Sequence, residues 1–467
     1  MIDFDELDEV EPERRAYDVV IFGATGYSGC LAVEHLDALL SLPTARPCRW
    51  GIAGRNEAKL QKIASRCRSR PKVIVASTPD EIDQMAADSF VILAMAGPYL
   101  ACGEQIVRAC VDKGTHYVDV TGEVNFSHFI IQKYHSAAKA KGVMLVQFAG
   151  AMSVPDDLAA YLLVRKLGPL KQLRDYTWGF GLRGGGSFQT GLEVVERMLP
   201  ESMAVYHNPF SLGGDRRAPL RPEDADCRAT EPDQLFPSTW VMPAYGSHTT
   251  SRVLRRSSEL FDQWKPKDMP LYGDDLLVVV RDLAVDKKDA DMAVWANPVP
   301  ADIKDTMKQS RTMEEMRKNF HAPHPGFGPP KEARDLSFLE TFMVAESESG
   351  QWAHVHCLGP DGFEVTAITC TCAALVIVEE FESLGTDARG VLTPAAAFHG
   401  STYRERLEAH GFAAGPGPKL RLEVVDGQPS EEKVLSALAT SMDRRQQAMK
   451  QLQSGKFQAW AAPAMLT

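Results

Sequence analysis

The chain has 467 residues, of which 44% are hydrophobic and 24% charged, and its formal net charge is −11 at pH 7. This length and composition are typical of a globular protein with two or three domains. The acidic balance, without a block rich in lysine or arginine, argues against a nucleic acid partner. An anionic cofactor would therefore have to be bound by local groups.

The N-terminal segment, residues 1–15, is acidic and lacks the apolar stretch of a signal peptide. The longest uncharged runs have about 15 residues, fewer than the roughly 20 that span a bilayer. The nine cysteines include no C-x-x-C pair, which is typical of reduced cytosolic thiols. We therefore expect a cytoplasmic protein without a transmembrane segment, and peripheral contact with a membrane or lipid droplet stays open.

The first predicted strand, residues 19–22, is an apolar run that leads directly into Gly23, Gly26 and Gly29. Residues 30–40 then carry apolar side chains at helical spacing. Such a turn lets backbone N–H groups at a helix N-terminus approach a pyrophosphate with no Cβ in the way. The spacing is G-x-x-G-x-x-G instead of G-x-G-x-x-G, and its place between strand and helix predicts dinucleotide binding.

The second predicted strand, residues 49–54, is followed by Arg55 and Asn56, with a helix beginning near Glu57. In a dinucleotide-binding domain the end of this strand contacts the adenosine ribose, and an acid there favours NAD. Arg55 instead offers a planar donor fork that suits a 2′-phosphate. The sequence therefore predicts a preference for NADP(H) over NAD(H), the alternative being a surface arginine without a ligand.

Further strands alternate with helices up to residue 150, and we predict them at 72–75, 90–95, 116–120 and 143–146. This alternation predicts an α/β fold with a Rossmann-type doubly wound parallel sheet over residues 16–150. Right-handed crossovers bring the carboxyl ends of the strands to one edge. The glycine turn and the turns at 97–99 and 121–123 should therefore line one cofactor cleft.

Residues 151–412 have a different pattern, which predicts a second α+β domain with a largely antiparallel sheet for substrate binding and dimerisation. The predicted helices are at 155–167 and 301–319, and the predicted strands at 338–347, 352–358 and 363–368 precede an apolar helix at 369–381. Residues 413–467 are predicted to be a polar helical tail.

Two segments of the second domain allow two interpretations each. Residues 183–191 are a glycine-rich connection between a predicted strand at 176–182 and a predicted helix at 192–198. This connection either closes over a ligand or is a plain tight turn. Residues 252–256 carry three arginines that could pair with acids or a phosphate, and a solvated helix face is the favoured interpretation.

Several stretches together match a known family: F-G-A-T-G-Y-S-G, A-G-R-N, A-G-P-Y-x-x-x-G, Y-V-D-V-T-G-E, V-P-D-D-L, the G-G-G-S-x-x-T-G turn, R-R-S and G-V-L-T-P-A-A-A-F. The chain resembles the saccharopine dehydrogenase-like oxidoreductases over roughly residues 16 to 412. It is more similar to the branch with the mycobacterial trans-acting enoyl reductases than to the lysine-pathway enzymes.

The resemblance implies an NAD(P)-binding domain whose site residues can be carried over by position. The pyrophosphate would be bound by the first turn, the adenosine phosphate by the end of the second strand, and the nicotinamide side by the turns after the fourth and fifth strands. In that order the residues are Gly23, Ala24, Thr25, Gly26, Tyr27 and Ser28; Arg55 and Asn56; Ala96, Gly97, Pro98 and Tyr99; and Gly122 and Glu123.

The chain departs from the family pattern in the loop after the sixth strand. Family members often show G-F-D-S-x-P-x-D there, whereas Ala151 and Met152 replace the Phe-Asp pair in this chain. If that aspartate contacts substrate in relatives, this chain either acts on a less polar substrate or has lost the chemistry.

Hydride transfer needs a positioned nicotinamide and a proton donor. Tyr99 is the candidate catalytic residue, although a packing or ribose-contacting role is the favoured interpretation, and Asp119 and Glu123 flank the next turn. The sequence contains no G-x-S-x-G, H-E-x-x-H or P-loop motif. No metal site is predicted, because His321 and His324 have no acid or thiol at ligand spacing.

Three functions remain open on the sequence. The favoured one is an NADP(H)-dependent oxidoreductase that reduces a C=C or C=N bond of a small-molecule or lipid-like substrate, with a homodimer allowed. The second is a non-catalytic NADP(H)-binding protein at a lipid surface or in an assembly, and the lowest-ranked is a true saccharopine-type amino-acid dehydrogenase. Catalysis predicts a cleft lined by Tyr99, 150–153 and 184–190, whereas binding alone predicts a cleft filled by side chains.

Overall fold

The computed structural model describes residues 15–196, 200–214, 220–227, 230–244, 246–296, 323–409 and 419–454. The predicted helix at 301–319, nearly all of the acidic N-terminal segment, and His321 lie outside the described residues.

Strands and helices alternate strictly over residues 17–146, as the hydrophobic pattern predicts. They are β1 Tyr17–Phe22, α1 Tyr27–Leu40, β2 Trp50–Gly54, α2 Glu57–Ala64, β3 Lys72–Val75, α3 Pro79–Asp88, β4 Ser89–Ala94, α4 Tyr99–Lys113, β5 His116–Asp119, α5 Val124–Ala140 and β6 Met144–Val146.

The rest of the described chain mixes longer strands with helices. Its elements are α6 Val154–Leu167, β7 Leu170–Phe180, α7 Gly185–Glu196, α8 Pro200–His207, β8 Trp240–Met242, α9 Ser247–Trp264, β9 Leu277–Ala284, α10 Lys287–Ala296, α11 Lys331–Arg334, β10 Phe338–Ser347, β11 Trp352–Gly359, α12 Gly362–Glu380, β12 Gly390–Leu392, α13 Pro394–Ala397, α14 Tyr403–Ala409, β13 Arg421–Asp426 and α15 Glu431–Ser454.

The first sheet is parallel and has the order β12-β6-β5-β4-β1-β2-β3. Its central strand β1 pairs with β2 on one side and with β4 on the other. Helices cover both faces, as expected of a parallel sheet whose strands read as continuous apolar runs. The predicted Rossmann-type sheet is confirmed, and its seventh strand, β12, comes from beyond the predicted boundary at residue 150 and pairs with β6.

The second sheet has the order β13-β11-β10-β7-β9-β8 and is antiparallel except for the β7–β9 pair. One face, with Leu173 and Met343, shares a core with α6. The other face, with Trp178 and Phe342, packs against Leu438 of α15. The predicted second domain with a largely antiparallel sheet is confirmed, and the described part of the predicted tail supplies β13 as well as α15.

The prediction of a strand at 363–368 is wrong, because these residues form the first turns of α12. Asp361 caps this helix, its carboxylate accepting a hydrogen bond from the Phe363 backbone N–H at 2.9 Å. Most of the helix is buried, and residues such as Ile377 share a core with Leu36 of α1. The window begins with the alternating apolar and polar residues F-E-V-T, which is the pattern of a half-buried strand.

The helix predicted at 192–198 begins earlier, at Gly185, so the predicted glycine turn is largely helical. The glycines serve close packing instead. A Cβ on Gly185 would lie 1.9 Å from the His324 carbonyl oxygen, and one on Gly184 would lie 2.8 Å from the Phe363 ring. The start of α7 therefore packs directly against two other segments of the chain.

The interpretation of residues 252–256 as a solvated helix face is wrong. Arg252, Arg255 and Arg256 of α9 are all buried. Arg252 pairs with Asp226 at 2.5 Å, and Arg255 pairs with Asp224 at 3.5 Å. Arg256 pairs with Glu259 of the same helix, whereas the acids that bind Arg252 and Arg255 come from an earlier segment, which a helical-face pattern does not reveal.

One stretch of the described chain, Gly362–Ser383, is long and apolar enough to cross a membrane by length and composition. Within the protein 72% of its most apolar window is buried. Core helices meet the same criterion, so this stretch is weak evidence for a membrane span.

Candidate cofactor site

The turn between β1 and α1 has the backbone geometry that a pyrophosphate site needs. Gly23 has a φ of 84°, in the left-handed region that glycine adopts without strain. Gly26 is the N-cap of α1 and has no capping side chain, and no side chain in the described part of the chain bonds to the N–H groups of the first helical turn. Uncapped N–H groups at a helix N-terminus bind anions, so the turn that contains Ala24 and Thr25 and leads to Ser28 fits a dinucleotide.

Glycines also bring neighbouring backbones into contact at this turn. A Cβ on Gly29 would lie 2.3 Å from the Gly23 carbonyl oxygen, and a Cβ on Gly23 would lie 2.8 Å from the Ala96 backbone nitrogen. The first helix therefore packs directly onto its own turn, and the turns after β1 and β4 lie side by side. This confirms their predicted proximity at the carboxyl edge of the sheet.

At the end of β2, Arg55 is exposed and has no hydrogen-bond or ion-pair partner in the described chain. Asn56 is the N-cap of α2, and its side-chain oxygen accepts from the Lys59 backbone N–H at 3.0 Å. Arg55 is thus available for a ligand, whereas the Asn56 side chain already has a capping role.

Glu123 links the turn after β5 to the turn after β4. Its carboxylate accepts hydrogen bonds from the backbone N–H groups of Tyr99 at 2.7 Å and Leu100 at 2.8 Å. A carboxylate is favourable at a helix N-terminus, and here it caps α4. Glu123 therefore holds the Gly97–Pro98 turn in place through the start of α4. On its other side, Gly97 faces Thr190 of α7.

Asp119 is a buried residue whose hydrogen bonds fix the loops at the same carboxyl edge of the parallel sheet. Its oxygens accept from the backbone N–H groups of Thr121 at 3.1 Å and Phe148 at 3.2 Å and from the Tyr117 hydroxyl at 2.9 Å. Burial raises the pKa of Asp119 to about 7, against the opposing effect of these hydrogen bonds. Phe148 has a φ of 62°, so Asp119 also holds a strained residue at the start of the next loop.

Tyr99, the candidate proton donor, points into the protein. Its hydroxyl donates to the Ala94 carbonyl oxygen at 2.8 Å, and its ring packs against Phe126. Burial and the nearby Asp119 raise the pKa of Tyr99 well above 10. This geometry favours the packing alternative and gives the phenol no access to a substrate.

The loop after β6 faces the turn after β5 through Met152. Methyl carbons added at Gly122 and Gly246 would lie 3.6 Å and 2.7 Å from the Met152 Cε. Two hydroxyls at the start of α9 hold the turn after β5 and the loop after β6 in place. The Thr249 hydroxyl donates to the Gly122 carbonyl and the Thr250 hydroxyl to the Met152 carbonyl, each at 2.9 Å. Met152 remains 37% exposed and presents an apolar surface.

Two residues far from the glycine turn in sequence contact it in the structure. The Tyr27 hydroxyl donates to the Pro329 carbonyl at 2.5 Å and accepts from Arg334 at 3.1 Å. Burial raises the pKa of Tyr27 above its ordinary value. No local pattern connects positions about 300 residues apart, so the sequence did not indicate these contacts.

No group of three or more His, Cys, Asp or Glu side chains that could hold a metal occurs among the described residues. The turn with Gly23, Gly26 and Gly29 and the uncapped N-terminus of α1 instead fit a dinucleotide, because their backbone N–H groups could bind its pyrophosphate.

Comparison with known proteins agrees with this geometry. Residues 19–146 match the family model described as the saccharopine dehydrogenase NADP binding domain. A trans-acting enoyl reductase of Mycobacterium leprae (strain TN) is 28% identical over 426 residues, covering 87% of this chain and 99% of its own. One from Mycobacterium bovis (strain BCG / Pasteur 1173P2) is 27% identical over 430 residues, with the same coverages.

Among solved structures, apo saccharopine dehydrogenase (L-Glu forming) from Saccharomyces cerevisiae aligns with 87% of this chain and 99% of its own, at 15% identity and a TM-score of 0.46. That similarity is too low to support an inference about function. The family-model match and the mycobacterial relatives confirm the resemblance to the saccharopine dehydrogenase-like oxidoreductases. Together they support an NADP-dependent oxidoreductase.

Proposed function

We propose that this saccharopine dehydrogenase-like oxidoreductase uses NADPH to reduce a C=C or C=N bond in an apolar or lipid-like substrate. The observation that carries the proposal is the apolar, partly exposed Met152, which lies between Gly122 and Gly246 beside the turn after β5. A carboxylate at this position would favour a polar substrate, whereas a partly exposed thioether favours a hydrocarbon chain. The names of the enoyl reductase relatives are consistent with such a substrate.

The preference for NADPH rests on Arg55, which is exposed at the end of β2 without a partner in the described chain. A guanidinium binds a phosphate through paired hydrogen bonds, and this one stands where the ribose 2′-position is expected. The name of the matching domain family supports an NADP cofactor. The uncapped N–H groups of α1 would bind the pyrophosphate of either dinucleotide.

When bound, the cofactor would supply the hydride for such a reduction. The role of the protein in this reaction is to orient the reactants. Glu123 caps α4 and so fixes the turn after β4, which would lie beside the nicotinamide, and the threonines of α9 fix the Met152 loop. Tyr99 serves this arrangement by packing and does not supply the proton.

Replacing Met152 by aspartate is expected to lower kcat/KM for a long-chain trans-2-enoyl thioester by roughly tenfold or more, because a carboxylate would be desolvated by the acyl chain. The Kd for NADPH should change less than twofold. The measurement is single-turnover oxidation of NADPH, followed by its absorbance, with a panel of enoyl thioesters of increasing length and cyclic imines.

Val285→Asp is the matched control, because Val285 is also 37% exposed but follows β9 and is not part of the Met152 loop. It should leave both constants unchanged. If the native chain binds NADPH but no member of the panel oxidises it, the reductase proposal fails and the binding-only alternative gains support.

A further inference from the structure

His354 is a buried residue of β11, on the face of the second sheet that α15 covers, and both of its ring nitrogens have a partner. Its Nδ1 lies 2.8 Å from the Gly427 carbonyl oxygen, which can only accept a hydrogen bond, so Nδ1 carries a proton. Its Nε2 lies 3.3 Å from the Lys433 Nζ, an ammonium that can only donate. These two contacts assign the neutral tautomer in which Nε2 is the acceptor.

The two partners of His354 belong to the connection between β13 and α15. Gly427 directly follows β13, and Lys433 is the third residue of α15. The first residue of this helix, Glu431, is engaged elsewhere, because its carboxylate accepts from the Ser238 backbone N–H at 2.6 Å. One buried imidazole therefore holds both ends of the segment by which α15 reaches the sheet.

The start of α15 covers an apolar part of the sheet next to this contact. Val434, which follows Lys433, and Leu438 one turn later are buried in one core with Trp178 and Phe342. The Lys433 Nζ also lies 5.9 Å from the centroid of the Phe342 ring. Separation of the first turns of α15 from the sheet would therefore uncover apolar side chains.

The charged groups that face His354 from the surrounding elements favour, on balance, its neutral form. They are Lys433 of α15, His356 of β11, Glu423 of β13 and, bonded to His356, Glu340 of β10. Glu340 is already paired with the His356 Nε2 at 2.8 Å, and Glu423 is exposed. Burial lowers the pKa of His354, and Lys433 and His356 lower it further, while the bond to the backbone carbonyl and Glu423 act in the opposite direction.

We propose that His354 makes the attachment of α15 to the second sheet sensitive to pH. The neutral ring accepts from Lys433 and holds the first turn of the helix on the sheet. Protonation at Nε2 replaces this acceptor by an N–H that points at the ammonium, so Lys433 must leave and the start of α15 separates. Because the pKa of His354 is lower in the folded chain than its ordinary value of about 6.5, the stabilisation is complete above that value and is lost as the pH falls through the folded pKa.

The test is hydrogen–deuterium exchange of the full chain at about pH 7.5 and about pH 5.0, on either side of the ordinary histidine pKa, with protection factors corrected for the intrinsic exchange rate. We expect the protection of the first turns of α15, residues 431–438, to be roughly tenfold lower at the acidic pH. His354→Gln keeps a donor and an acceptor but takes up no proton, so its protection should differ by less than about twofold. Lys433→Met removes the ammonium that opposes protonation, and its protection should fall no more than about threefold.

Lys450→Met is the matched control, because Lys450 lies near the other end of α15 and is exposed. It should show the same fall in protection as the native chain. Equal protection of the native chain at the two pH values overturns the proposal, as does an undiminished fall in folded His354→Gln. Should that variant not fold, an undiminished fall in Lys433→Met overturns the proposal as well.

Discussion

Replacing Gly29 by alanine is expected to weaken NADPH binding by roughly tenfold or more and to lower the free energy of unfolding by about 1–3 kcal/mol. The added Cβ would lie 2.3 Å from the Gly23 carbonyl oxygen and 3.0 Å from the Ala24 Cα. Both are backbone atoms, so the turn itself must move. Displacing the turn misaligns the N–H groups at the start of α1. Cofactor titration and urea denaturation measure the two effects separately.

Gly191→Ala provides the control, because Gly191 lies within α7 and its added Cβ would meet no atom of the described residues outside the helix's own backbone within 4 Å. Alanine in a helix interior is favoured over glycine by about 0.5–1 kcal/mol, so this variant should be as stable as the native chain or more stable. Native NADPH affinity and native stability in Gly29→Ala would show that the turn does not need this close contact.

Replacing Arg252 by methionine is expected to lower the free energy of unfolding by about 3–5 kcal/mol. The side chain is fully buried, pairs with Asp226 at 2.5 Å and donates to the Tyr206 carbonyl at 2.9 Å. Removing the arginine leaves the Asp226 carboxylate, whose side chain is 17% exposed, without its cation. Urea denaturation measures the loss, and adding Asp226→Asn should recover part of it.

Arg46→Met is the matched control, because Arg46 is 69% exposed and its ion pair with Glu379 spans 3.7 Å. An exposed pair of this kind contributes about 0–1 kcal/mol. Equal losses in the two variants would contradict the distinction between buried and surface arginines. A negligible loss in Arg252→Met would restore the solvated-face interpretation of this segment.

The parallel sheet could be predicted because its signals are local. Each strand is a short apolar run followed at once by a turn, and the glycines at 23, 26 and 29 mark the most important turn. The seventh strand, β12, has three residues and is positioned only by its pairing with β6. Three residues are too few to show a hydrophobic period. The segment is therefore recognisable in the sequence only as part of the G-V-L-T-P-A-A-A-F motif, and no strand is predicted there.

Other features depended on tertiary contacts that sequence spacing does not encode. Residues 363–368 resemble a strand because F-E-V-T alternates apolar and polar residues, although it forms the start of the helix α12. Tyr99 was a reasonable donor by position, but the direction of its side chain depends on the Ala94 carbonyl. Arg334 reaches Tyr27 across 307 positions of sequence, and no pattern within either segment predicts that contact.

The preference for NADPH over NADH tests the account most directly, since it depends on the glycine turn and on Arg55 together. Both dinucleotides should be titrated against the native chain and against Arg55→Ala. We expect the native chain to bind NADPH roughly 10- to 100-fold more tightly than NADH, and the substitution to remove that difference while leaving the NADH affinity unchanged. Equal affinities in the native chain, or a preference that survives Arg55→Ala, would contradict it.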